Sequence, residues 1–326
     1  MELVGGSMNK LLFILSVILT CSQTPLYATK YGSVKLWDGD TIVNVSDSAL
    51  KVYTDDTLNV AIADTIVVRV TDTLEVNSIP KDYYLEVAKG NVAGASKVNK
   101  FGHNPTATSG DDIWGGGGVY VFFPDTARTM EILSTSALDD EGSTGAIQVR
   151  VKGLDSNWLE IEETVTMNGT TPVSLTNKFV RMYRAFVLEV GSAETNEGDI
   201  TVEIVGTDTA AIFISADEGQ TQHAIYTVPE DKTAYFLKGY VSLTNSNKNG
   251  EDGTFQYYVR LNNGYQSAWL VKGEVGLVNI GSSYWQYEYA VPAGPIPGKS
   301  DIKIRLTDAS ATMNTQAGFD LILIDN

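Results

Sequence analysis

Apolar residues that recur at every second position, in runs cut short by Gly, Asn and Asp, leave this chain few structural options. Beyond residue 30 no stretch carries the three-and-four spacing of an amphipathic helix, while run after run carries the alternation of a half-buried strand. The pattern predicts strands at 119–123, 129–133, 146–151, 159–167, 179–190 and 200–205, and again at 211–215, 223–228, 234–244, 254–261, 267–272, 285–291, 301–307 and 319–324. In the run 301–307, Ile302, Ile304 and Leu306 share one face and Lys303 and Arg305 the other. Asn168-Gly169 reads as a hairpin turn between 160–167 and 172–175. Many short strands with turn punctuation mean an all-β chain, organised as two β-sandwich or jelly-roll domains at 101–208 and 209–326. Residues 81–100 read as a linker with one strand at 83–87, and 101–118 as loop.

A different pattern occupies 29–80. Asp40-Thr41-Ile42, Asp56-Thr57-Leu58, Asp64-Thr65-Ile66 and Asp72-Thr73-Leu74 stand at multiples of eight, and Ser48-Ala49-Leu50 fills the gap. Val52, Val60, Val68 and Val76 follow two residues after their Leu or Ile. An octad supplies about five strand residues and a bend, with one narrow apolar face. No single copy buries that face, so Leu50, Val52, Leu58, Val60, Ile66, Val68, Leu74 and Val76 are expected to form the core of an oligomeric stalk, as in trimeric fibre shafts. A single-chain β-roll and an ordinary meander are the alternatives.

The N-terminus reads as an address. Lys10 precedes ten apolar-rich residues, 11–20, and Leu26-Tyr27-Ala28 offers a small residue for cleavage, so 1–28 is expected to be a signal peptide, with Met8 as the true start. The apolar run is too short to span a bilayer. Thr20-Cys21 resembles a bacterial lipobox, but Thr stands where Gly, Ala or Ser is usual. Export would place the protein outside the cell or in a virion.

Charge and composition exclude partners. With 23 Lys+Arg against 40 Asp+Glu the net charge is −17, which disfavours nucleic acid and anionic membrane surfaces. One Cys and two His exclude a disulfide framework, a Cys-based zinc site and His relays. The 245–252 loop echoes a calcium loop but offers neutral amides, and Tyr257 where a bidentate Glu belongs. Asp111-Asp112 and Asp139-Asp140-Glu141 are paired acids of a kind glycosidases use, yet nearly every polar loop here carries such acids. Neither His103 nor His223 lies near a nucleophile motif, and Gly115 to Gly118 lacks the Lys-Ser/Thr of a phosphate loop. The chain is therefore expected to be no enzyme and to hold no cofactor or metal. Trp269, Tyr284, Trp285, Tyr287 and Tyr289 crowd the second block, and the last three of odd number share a strand face. Such amphipathic rings suit contact with a partner or a surface glycan, or packing between subunits.

The stretch 100–130 resembles tailed-phage virion structural proteins. It carries Lys100-Phe101-Gly102-His103-Asn104-Pro105, then Asp112-Ile113-Trp114 followed by four Gly, then Phe123-Pro124 leading to Ala127 and Met130. Further matches run through Gly153-Leu154-Asp155, Trp158, Asn168-Gly169-Thr170-Thr171-Pro172, Gly219-Gln220-Thr221 and Val228-Pro229, so that the resemblance covers 100–326. It implies a fibre, tail or capsid-decoration component with no catalytic residues to carry over; together with the octad stalk, the expected protein is a homotrimer that meets other virion proteins or surface glycans. The signal peptide departs from that family, because virion proteins assemble in the host cytoplasm. The alternative is a secreted carbohydrate-binding or adhesin-like β-sandwich protein.

Overall fold

A computed structural model describes residues 82–244, 250–262, 267–279 and 282–326, with the backbone of three short strands before them. Two compact units divide the chain, Met1–Ile79 and Pro80–Asn326.

In the first unit β1 (Ser33–Lys35), β2 (Ile42–Ser46) and β3 (Ala49–Tyr53) form an antiparallel sheet in that order, with Val43 opposite Val52. The strands β2 and β3 coincide with two successive octads. The signal segment, the rest of the repeat and the side chains of its expected core, Leu50 to Val76, lie outside the described residues.

The second unit opens with helix α1 (Tyr83–Ala88), where a strand was expected. Asp82 caps it, its Oδ1 accepting from Tyr84 N–H at 3.0 Å and Leu85 N–H at 3.4 Å. Six residues are too few to show a helical period, so the cap was the only legible signal. There follow β4 (Ala95–Ala107), β5 (Arg128–Ser134), β6 (Ala146–Leu154), β7 (Glu160–Thr166), β8 (Val173–Phe179), β9 (Arg181–Val190), β10 (Ile200–Ile204) and β11 (Ala210–Ile214). The remainder is β12 (Ile225–Thr227), β13 (Lys232–Thr244), β14 (Glu251–Arg260), β15 (Leu270–Asn279), β16 (Ser282–Ile296), β17 (Asp301–Ala309) and β18 (Met313–Asp325).

Two four-stranded sheets, β16-β13-β18-β4 and β12-β17-β14-β15, face each other over a core that includes Phe236, Phe255, Phe319, Ile302 and Leu306. Counting β4 as the first strand and β12 to β18 as the second to eighth, the sheets run 6-3-8-1 and 2-7-4-5. That is the strand order of a jelly roll. A second sandwich interrupts its first connection. Sheets β11-β10-β5-β8 and β7-β6-β9 enclose another core, with Met130, Ile132, Val149, Phe179, Ile200 and Ile212. All described strand pairs in both sandwiches are antiparallel.

The chain is thus all-β with sandwich architecture, but its sheets do not follow the division at 208. Strand β11 belongs to the inserted sandwich, and β4, which spans the expected 81–100 linker and the 101–118 loop, belongs to the jelly roll. Gly102, His103, Asn104 and Pro105 are poor strand formers, and pairing with β18, Phe101 opposite Gly318, overrides them. Pro105 is tolerated because β4 is an edge strand and the register slips there, between the pairs at Met313 and Thr315. Gly102 is required: a Cβ would lie 2.2 Å from the Ile113 carbonyl oxygen and 2.5 Å from Ala224 N, where the chain enters and leaves the insert. Asn168-Gly169 is no hairpin turn either, since β7 and β8 lie in opposite sheets. Finally, 119–123 joins no sheet. It keeps the alternation, with Tyr120 and Phe122 buried and Val119 and Val121 exposed, but Tyr120 N–H donates to the Asp112 carboxylate at 2.9 Å.

Candidate functional site

The aromatic residues of the second block fall into two places. Trp285, Tyr287 and Tyr289 lie on β16, an edge strand, and their rings form a row: Trp285 and Tyr287 stack at 6.0 Å and 9°, and Tyr287 meets Tyr289 edge-on at 4.6 Å. The row continues inward to Phe236 and Tyr257. Together with Val275 these rings line a small apolar slot of about 60 Å³ between the two jelly-roll sheets. Tyr284 points to the opposite face, beside Tyr240.

The adjoining edge of the other sheet is β15. These two edges expose Leu270, Val271, Val278, Tyr284, Trp285, Tyr287 and Val291, with Val278 at 62% and Val291 at 79%. Their charged residues are Lys272, Glu274 and Glu288. Edge strands usually carry charges or prolines that prevent pairing. Here Pro292 and Pro295 guard only the C-terminal end of β16, and most of the edge is apolar.

Trp269 sits elsewhere, at the junction of the sandwiches. Its ring lies 4.6 Å from the Arg260 guanidinium, 4.5 Å from the Lys303 ammonium and 5.3 Å from the Phe123 ring. Beneath it, two fully buried aspartates gather cations from both sandwiches. Asp301 accepts from Arg181 of the insert at 2.8 and 3.0 Å, and from Arg260, Asn262 and Thr227 of the jelly roll at 2.6, 2.7 and 2.7 Å. Asp112 accepts from Lys303 at 3.0 Å and from Arg305 at 2.7 Å. Burial works against the charge on Asp301, but Arg181 and Arg260 outweigh it and hold the carboxyl below its ordinary range. For Lys303, burial wins over the neighbouring Asp112 and lowers its pKa.

The paired acids therefore have separate duties. Asp112 is a buried ion-pair hub, whereas Asp111 accepts from Thr108 N–H at 2.8 Å. Asp139 is also fully buried and ties a loop by accepting from the Ala146, Glu197 and Gly198 N–H groups at 2.7, 2.8 and 3.0 Å. The glycine run folds under Trp114: its Nε1 donates to the Gly118 carbonyl at 3.1 Å, and a Cβ at Gly116 would sit 2.4 Å from the indole. His223 is buried between Trp114 and Tyr120, and neither ring nitrogen meets a hydrogen-bond partner. Burial and then the charge of Lys100 keep its pKa well below the usual histidine value.

Residues 245–249 of the calcium-like loop lie outside the described ones. Among the described residues no three His, Cys, Asp or Glu converge as metal ligands, and no helix is long and apolar enough to cross a membrane.

No protein-family model and no curated protein matches the chain. Among the solved structures that match are three of infectious bursal disease virus. A mutant VP2 protein of infectious bursal disease virus, in derived T=1 particles, is 11% identical over 71% of this chain and 69% of that one, with a TM-score of 0.20. The Gx strain of infectious bursal disease virus gives 9% identity over 71% and 70%, with a TM-score of 0.18. Its VP2 subviral particle gives 10% over 76% and 74%, with a TM-score of 0.16. TM-scores this low do not establish a shared fold.

Proposed function

We propose that this chain is a non-enzymatic structural protein of a virion, of the fibre, tail or capsid-decoration kind, which joins copies of itself along the β15–β16 edge. The observation that carries the reading is that edge, where apolar and aromatic side chains stand in water beside unpaired strand backbone. A second copy is the occupant that the charges favour. Each chain carries −17, and two copies meet with least repulsion where each presents few charges. Jelly rolls serve capsids and lectins alike, and the Lys100 to Met130 pattern resembling phage virion proteins tips the balance towards assembly. The octad stalk sets the expected stoichiometry at three.

Sedimentation of the full chain tests this. The expected species is near three times the 35.3 kDa protomer, and a monomer across the micromolar range would overturn the reading. Trp285 and Tyr287, parallel and half-exposed, support a second reading as a sugar-stacking platform. A glycan array decides for it if binding is lost in Trp285→Ala while the chain stays monomeric.

A further inference from the structure

A cleft of about 330 Å³ runs between β4 of the jelly roll and the β7-β6-β9 sheet of the insert. Two of its basic residues are already neutralised: Lys97 pairs with Asp320 at 3.1 Å and Lys152 with Glu162 at 2.8 Å. Lys100 and Arg184 are held differently. The buried Lys100 ammonium donates to the Tyr183 carbonyl. Arg184 donates to the Gln220 side-chain oxygen at 3.3 Å and lies over the Phe186 ring. Burial, and then the charge of Arg184, bring the Lys100 amine down to about 7. So two basic groups line one cleft, and among the described residues neither forms an ion pair, in a strongly acidic protein.

The same cleft is lined by Tyr226, which is buried and whose hydroxyl meets no hydrogen-bond partner. Leaving such a group unmatched is unfavourable, and a bound polar ligand would satisfy it. Tyr183 donates its hydroxyl to Glu160 Oε1 at 2.9 Å, so the opposite wall presents carboxylate acceptors. Phosphate or sulfate, with charge on every side, would meet Glu160 and Glu162 as well as the cations. A ligand with one anionic group and neutral hydroxyls elsewhere meets both walls favourably.

We infer that this cleft binds an acidic sugar, its carboxylate between Lys100 and Arg184 and its hydroxyls on Tyr226 and Glu160. The site is complete within one chain and does not depend on how copies assemble.

Calorimetric titration of the full chain with glucuronate tests it, with glucose and inorganic phosphate as comparators. Glucuronate is expected to bind, with glucose at least ~10-fold weaker, a difference of about 1.4 kcal/mol. Arg184→Gln is expected to weaken glucuronate by a similar factor. Tyr226→Phe, which removes only the unpartnered hydroxyl and so preserves the fold, is expected to weaken it severalfold. The inference is overturned if glucuronate does not bind at tens of millimolar, if Arg184→Gln keeps wild-type affinity, or if phosphate binds as tightly as glucuronate. Sedimentation run in parallel is expected to be unchanged by either variant, so a negative titration leaves the assembly reading untouched.

Discussion

Asp301→Asn is expected to lower the unfolding free energy by about 3–5 kcal/mol, the usual cost of removing one partner of a buried ion pair. The reason is local. Asn keeps the shape and one acceptor, but Arg181 is buried and would lose its bidentate carboxylate, while Arg260 and Asn262, which share Oδ2 with it, would lose a charged acceptor. Because Arg181 comes from the insert and Asp301 from the jelly roll, the loss falls on the junction of the two sandwiches. A fall in Tm of roughly 10 °C should accompany it. The wild-type protein should show the same dependence in acid. The Asp301 carboxyl is held below its ordinary value in the folded state, so its contribution is complete above about pH 4 and is lost as the pH falls further. Urea unfolding of both proteins between pH 3 and pH 7 measures this. A variant within about 0.5 kcal/mol of wild type at neutral pH would contradict it.

Lys100→Met is expected to act in the opposite direction. In the folded chain the Lys100 amine is lowered to about 7, whereas in the unfolded chain it lies near 10.4. Below about pH 7 both states carry the proton, and the folded state bears the whole cost of a buried ammonium. As the pH rises from about 7 to about 10.4, the unfolded chain alone holds the proton, and the cost fades. Around it in the cleft stand Arg184, Lys97 and Lys152, with Glu160, Glu162 and the phenols of Tyr183 and Tyr226. Arg184 adds to the effect of burial, and the buried His223 also lies within reach of the Lys100 charge. The substitution should therefore raise stability by roughly 2–4 kcal/mol at pH 6, less whatever the unsatisfied Tyr183 carbonyl takes back, and by much less at pH 10. A destabilised variant at pH 6 would contradict this. A residue that costs stability where it stands is what a binding site retains.

The strands were legible because their period is local; their partners were not. All eight strands expected after residue 210 exist in the structure, yet the first strand of the jelly roll, β4, was read as linker and loop because its partner, β18, lies some two hundred residues away. The run from Ile302 to Leu306 shows the same limit. Ile302, Ile304 and Leu306 are buried as the alternation requires, but Lys303 on the opposite face is buried too, against Asp112 and the Trp269 ring. Nothing in the sequence near Lys303 announces Asp112, its partner in another part of the chain. Arg181, Asp301 and Lys100 were missed for that reason. The β16 ring row was found because Trp285, Tyr287 and Tyr289 share parity on one strand.

Amide hydrogen exchange on the full chain tests the central claim most directly, because it reads β15 and β16 separately from any association through the octads. In the wild-type protein the outward-facing amides of 270–278 and 284–291, those not bonded to β14 or β13, are expected to become protected as concentration rises. In Val278→Glu/Tyr287→Glu they are expected to exchange rapidly at every concentration, with the rest of the jelly roll unchanged. Exchange along both edges that is independent of concentration in the wild-type protein, or identical in the variant, would contradict self-association through this edge.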